Sequence, residues 1–282
     1  MNQNNKLTMD KNISILGLGW LGLPLALELQ KNGYNISGST SRLSNVESFS
    51  QYRLHTCSIR IGLDAILGDW ASFLNDSSVL IINFPPKRIE NIETIHPAQI
   101  KQIIENTPKS IKVIFVSSTS VYQNTNGIVN ESFNCNPEKA SGVALVEAER
   151  LLRDYFGANL TILRLAGLIG PKRHPGRFLS NKRQLKNPES PVNLIHQKDV
   201  IGLIKKILEL DCFGELINGC SDVHPNRKEF YEKAALELNL PVPVFETTSH
   251  ESYKVVDNSK GKELLDFTYE FSDPTSIFKT ES

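Results

Sequence analysis

Asn12-Ile13-Ser14-Ile15-Leu16 runs straight into Gly17-Leu18-Gly19-Trp20-Leu21-Gly22, and this junction decides the fold. The first five residues have the apolar character of a buried strand. The stretch from Trp20 to Lys31 reads as a helix, closed by the stop signal Asn32-Gly33. Between them, each glycine has a separate task. Gly17 permits the tight turn, Gly19 lets the backbone approach a pyrophosphate, and Gly22 lets helix and strand pack closely. The helix N-terminus adds N–H groups and roughly half a positive charge for phosphates. The junction therefore predicts a dinucleotide site on Gly17, Leu18, Gly19, Trp20, Leu21 and Gly22.

The next strand, from Asn35 to Ser39, sharpens the cofactor reading. A site for NAD carries Asp or Glu at the end of this strand, where it holds the ribose hydroxyls. Here the segment is Gly38-Ser39-Thr40-Ser41-Arg42, without an acid. Hydroxyls and an Arg donate to a 2′-phosphate, which a carboxylate would repel. Ser39, Thr40 and Arg42 thus point to NADP(H) rather than NAD. The alternative is that Arg42 is a solvated residue or stacks on adenine. Asn83, Phe84 and Pro85 follow a later strand, where the chain passes the cofactor. The tandem prolines Pro85-Pro86 equally suit a purely structural turn.

Apolar strands alternate with helices along the rest of the chain. Strands are expected at 54–59, 79–83, 112–117 and 158–164, with helices at 97–106 and 138–156. This is the pattern of an α/β, doubly wound parallel sheet covered on both faces. The expected organisation is a lead-in at 1–11, a Rossmann core at 12–166, and a mixed segment at 167–282. That last segment forms a small C-terminal substrate lobe and completes the core. In it, short strands at 192–196 and 215–218 accompany helices at 198–210, 226–238 and 259–265. Residues 167–191 read as a loop over a site.

Composition excludes several functions. The 282 residues carry 31 Lys plus Arg against 31 Asp plus Glu, so no basic face for nucleic acid is expected. Cys57, Cys135, Cys212 and Cys220 lack CxxC spacing and adjacent His clusters. That argues against a metal site or disulfide framework and for a reducing, cytoplasmic setting. No apolar run approaches the length of a membrane span. The expected partners are a small-molecule substrate and a second copy of the chain in a homodimer.

Four segments together resemble the extended branch of the short-chain dehydrogenase/reductase superfamily, the NAD-dependent epimerases and dehydratases. They are Gly17 to Gly22, Phe115 to Tyr122, Arg164 to Pro171 and Asn193 to Asp199. With Gly38 to Arg42 they look like its YeeZ-like group of atypical members. The resemblance implies an oxidoreductase or epimerase acting on a small polar or sugar-nucleotide substrate. It also implies catalysis by a Ser or Thr after the fifth strand, and by a Tyr with a Lys four residues later on the next helix. The hydroxyl falls on Ser118, with Ser117 lying against the cofactor and Thr119 against the substrate. The Tyr and Lys positions fall on Ser141 and Leu145, and the chain contains no YxxxK.

A serine is far too weak an acid to replace a phenol of pKa near 10, and leucine cannot tune it. Tyr122 is then the substitute acid, unless it merely packs beneath the site. His174 and Arg177, in the basic loop after Gly170, would suit an anionic substrate; the plainer alternative is loop charge facing solvent. Glu131 and Arg164 read as structural, and His196 and Asp199 as structural or as a layer of support behind the site. The alternative to an enzyme is a non-catalytic NAD(P)H-binding sensor or interaction module.

Overall fold

A computed structural model describes residues 11–246 and 252–279. The expected lead-in lies outside the described residues except for Lys11. The first part of the chain forms β1 (Asn12–Leu16), α1 (Gly22–Lys31), β2 (Asn35–Thr40), α2 (Leu43–Phe49) and β3 (His55–Ser58). A small antiparallel pair, β4 (Arg60–Ile61) and β5 (Ile66–Leu67), precedes α3 (Trp70–Leu74), β6 (Val79–Ile82), α4 (Ile92–Glu105) and β7 (Lys112–Ser118). Next come β8 (Gly127–Val129), α5 (Ala140–Phe156), β9 (Leu160–Leu165), β10 (Gly167–Ile169), α6 (Gly176–Leu179) and β11 (Leu194–His196). The chain ends with α7 (Gln197–Glu209), β12 (Leu216–Gly219), α8 (Arg227–Glu237), β13 (Lys254–Val256) and α9 (Ser259–Leu265).

Seven strands form the main sheet in the order β12-β9-β7-β6-β1-β2-β3. The pairs β1–β2, β1–β6, β2–β3 and β6–β7 are parallel, with Ile13 opposite Ile36 on one side and Val79 on the other. Val79, Leu80, Ile81 and Ile82 are all buried, which is why β6 reads as an unbroken apolar run. Strand order reverses at β1 and β6. In open α/β sheets this switch point is where ligands meet the carboxyl ends of strands.

The chain divides into two compact units, and the division differs from the expected one at 166/167. Among the described residues, unit 1 comprises 11–116, 144–162 and 213–215; unit 2 comprises 117–143, 163–212, 216–246 and 252–279. Unit 1 buries Ile13, Ile15, Leu25, Leu29 and Ile100 completely. Unit 2 is centred on Ile169, Leu194, Phe230, Phe271 and Phe278. Unit 2 is thus assembled from interleaved segments, a feature that reading along the chain misses.

Local signals placed most elements. Asn226 caps α8, its Oδ1 accepting from the N–H groups of Lys228 and Glu229. α4 is longer than expected: it starts at Ile92 and carries Pro97 inside it. Pro97 is the sixth residue of α4, past the first turn, and lacks the N–H that would bond back to the Glu93 carbonyl. Among the described residues, no helix is long and apolar enough to cross a membrane.

Candidate functional site

In unit 1 the glycine turn is built by its neighbours. Gly17 has φ +108°, and a Cβ there would stand 2.5 Å from the Asn83 carbonyl oxygen. A Cβ on Gly22 would stand 2.0 Å from the Gly17 oxygen. Both glycines are demanded by the chain itself. Gly19 differs, because a Cβ there would meet nothing within 4 Å. Asn83 braces the turn, its Nδ2 donating to the Gly17 oxygen at 3.0 Å and its N–H to the Leu16 oxygen at 3.0 Å. No side chain caps α1, and its first turn holds no acid. Backbone N–H groups with helix-dipole charge are what a pyrophosphate requires.

The end of β2 gives two of the expected phosphate ligands a second task. Ser39 is buried; its Oγ accepts from the Gly17 N–H at 3.1 Å, and its carbonyl accepts from Leu18 at 2.7 Å. Thr40 is also buried, its Oγ1 accepting from the Arg42 N–H at 3.3 Å and Asn45 Nδ2 at 3.4 Å. Both hydroxyl oxygens accept from neighbours of the turn, and the pleat turns Ser39 toward the glycine turn. Arg42 is exposed at the start of α2. Asn83 likewise acts as a brace. Phe84 packs its ring 5.3 Å from that of His96. His96 is fully buried with both ring nitrogens unpartnered among the described residues, and burial lowers its pKa to about 4.

In unit 2, Ser118 caps a short turn over Thr119–Val121, its Oγ accepting from the Ser120 N–H at 3.1 Å. Ser117 and Thr119 are buried and Ser118 is half-buried. Tyr122 follows, at 1% exposure. Its hydroxyl donates to Asn218 Oδ1 at 2.9 Å and accepts from Arg164 Nη1 at 2.9 Å, with the guanidinium 4.9 Å above the ring. Glu131 Oε1 accepts from the Asn218 N–H at 2.7 Å. Burial raises the Tyr122 pKa against the opposing pull of Arg164. This placement corrects the substitute-acid expectation. The phenol is turned into the interior of unit 2, its proton is committed to Asn218, and it joins segments far apart in sequence.

The remaining candidates sit apart in role. His174 Nδ1 accepts from the Gly176 N–H at 3.1 Å, and its ring lies 6.0 Å from Phe278. Arg177 is exposed on α6. A Cβ on Gly176 would come 2.1 Å from the Ala234 oxygen, so α6 presses against α8. His196 caps α7 and stacks on Phe271 at 3.7 Å. Asp199 is buried, accepting from the N–H groups of Glu270 at 2.8 Å and Phe271 at 3.1 Å, and burial raises its pKa to about 6. Both are structural. Position 141 is a half-buried Ser and position 145 a buried Leu.

Sequence reasoning missed Lys254, whose Nζ donates to the Tyr122 carbonyl oxygen at 2.6 Å. It also missed Asn193, whose amide donates to the Lys254 oxygen and accepts from the Val256 N–H. No local signal marks either residue, since their partners lie 61 to 132 positions away.

A family model described as the NAD dependent epimerase/dehydratase family matches residues 13–197. Protein YeeZ of Escherichia coli (strain K12) is 35% identical over 268 residues, covering 94% of this chain and 97% of that protein. A functionally unknown conserved protein from Silicibacter pomeroyi is similar in structure, with TM-score 0.76 and 20% identity over 96% of this chain and 99% of that one. The UDP-glucuronic acid 4-epimerase of Bacillus cereus, solved with UDP-glucuronic acid and NAD, gives TM-score 0.76 at 21% identity, covering 93% and 96%. At these identities the structural likeness speaks to fold.

Proposed function

Because the chain belongs to the NAD dependent epimerase/dehydratase family, we propose that it is a dinucleotide-dependent oxidoreductase or epimerase, using NADP(H), with a small polar or sugar-nucleotide substrate. Gly19 carries the cofactor reading. Gly17 and Gly22 are explained by clashes inside the chain, while the glycine at 19 answers to nothing in it. A bare backbone at the open side of an uncapped helix start fits a pyrophosphate. The preference for NADP(H) rests chiefly on Arg42 and on the absence of an acid at the end of β2, while Ser39 and Thr40 also accept from the turn.

The nicotinamide would supply hydride acceptance and return. The chain's own contributions are orientation and proton handling. Ser118 keeps its hydroxyl proton to donate, because its oxygen only accepts within the turn. Thr119, His174 and Arg177 remain candidates for substrate contact. A second reading, a non-catalytic NAD(P)H sensor, is favoured by one observation: the helix lacks the Tyr and Lys, and Tyr122 is committed to Asn218 and Arg164.

Titration of the full chain with NADPH and with NADH, followed by cofactor fluorescence, tests the proposal. Tighter binding of NADPH is expected. Equal or tighter NADH binding would remove the Arg42 reading, and binding of neither would remove the dinucleotide site.

A further inference from the structure

Lys254 opens β13, whose three residues pair with β8 so that Lys254 faces Gly127 and Val256 faces Val129. Strand alternation sends the side chains of residues 254 and 256 the same way. Val256 is buried at 1% exposure, so the Lys254 stem also runs inward. The backbone around it is pinned on two sides. Asn193 closes an amide pair on Lys254 and Val256, and the Tyr253 oxygen accepts from Thr125 and Asn126. The amine therefore has a fixed place, reached from a fixed strand.

What it meets there is unusual for a half-buried lysine. Among the described residues, its only hydrogen bond goes to the neutral carbonyl of Tyr122. An ammonium taken from water ordinarily finds a carboxylate. Here the charged groups that act on it are Glu138 and Lys139, both exposed and opposite in sign. Burial outweighs them and holds the amine below the ordinary lysine range. The segment that carries Tyr122 also holds two buried polar atoms, Gln123 Oε1 and Thr125 Oγ1, without partners among the described residues. Buried polar groups are rarely left unpaired unless a ligand or water completes them.

We propose that Lys254 is the proton-transfer group of unit 2, its Nζ serving an oxygen of a ligand bound on the Ser118–Tyr122 turn. An ammonium has three N–H groups. One holds Tyr122, and another points a proton at the ligand oxygen. That proton leaves Nζ with its bonding pair staying on nitrogen, an O–H bond forms on the ligand, and solvent reprotonates the amine. In the reverse direction the nitrogen lone pair accepts the hydroxyl proton. The assignment rests on the reading of the chain as a dinucleotide-dependent enzyme, and it answers the observation that favours a non-catalytic sensor.

Competitive acetylation with trace acetic anhydride, across the neutral to alkaline range and read by peptide mass spectrometry, tests it on the full chain. Exposed Lys31 and Lys87 serve as internal standards. Lys254 is expected to react in the folded protein with a midpoint below both standards. Glu138→Gln should lower that midpoint further, because the lost carboxylate was holding it up. A midpoint coinciding with the standards overturns the proposal. So does a Lys254 that reacts only after unfolding, since an amine closed to a small reagent cannot serve a ligand. No cofactor enters the assay. A low midpoint with no NADPH or NADH binding would therefore sink the dinucleotide reading alone, and a normal midpoint with tight NADPH binding would sink the lysine alone.

Discussion

The turn after β1 and the turn at the end of β7 are both short bends that follow a buried strand, yet they are filled differently. The Gly17–Gly22 turn is braced by Ser39 and Asn83 and leaves position 19 bare. The Ser118–Tyr122 turn is closed from within, its Tyr hydroxyl held by Arg164 and Asn218 and its carbonyl by Lys254. The first is a site made of absent side chains. The second is made of side chains brought from remote positions. A turn of the first kind can therefore be read along the sequence, and one of the second kind cannot.

The sharpest way to break this contrast lies within the first turn. Gly22→Ala places a Cβ 2.0 Å from a backbone oxygen, which cannot move aside cheaply. It should cost about 4 kcal/mol or more of stability, or prevent folding. Gly19→Ala meets nothing within 4 Å and should melt with the parent. It should still lose NADPH affinity by about tenfold, roughly 1.4 kcal/mol. Thermal melts and fluorescence titration of both variants decide this. If Gly19→Ala binds NADPH as the parent does, position 19 does not face the pyrophosphate.

The two units also carry opposite pH dependences. His96 in unit 1 has its folded pKa lowered to about 4. Its contribution is intact above the unfolded value near 6.5 and is lost as pH falls toward 4, by about 3 kcal/mol in all. Asp199 in unit 2 has its folded pKa raised from 3.8 to about 6. Its buried neutral form is favourable at low pH, and stability of similar size is lost as pH rises from about 4 through 6. The parent curve should therefore be nearly flat across this window. His96→Leu should expose the Asp199 slope, with stability falling as pH rises. Asp199→Asn should expose the opposite slope. Urea unfolding at several pH values checks both, and two flat variant curves would contradict the assignment.

Tyr122→Phe probes the second turn. It leaves Arg164 and Asn218 without the hydroxyl and should cost about 1–3 kcal/mol. A variant as stable as the parent would reopen the phenol as a chemical group. The same residue marks the limit of the sequence reading. Alternating apolar runs give the sheet and its helices, and glycine spacing gives the turn, because both depend on neighbours a few positions apart. Ser39 shows what a local reading leaves out, because the pleat also ties its hydroxyl to Gly17. Tyr122, Asn218 and Lys254 meet only because the unit 2 segments interleave. No spacing rule carries that information.

The smallest expected effect separates the cofactors. Arg42 is exposed, so a contact with a 2′-phosphate is screened by water, and its loss is worth on the order of 1 kcal/mol. Arg42→Ala should weaken NADPH about fivefold and leave NADH unchanged. It should leave the melting temperature unchanged as well, because the Arg42 backbone, not its side chain, is tied to Thr40. Raising the salt concentration should shrink the difference between parent and variant, as expected for a solvent-exposed ion pair. An equal loss for NADPH and NADH would mean that the guanidinium lies on the adenine that both cofactors share. The family's description as NAD dependent would then apply to this chain without the added phosphate preference.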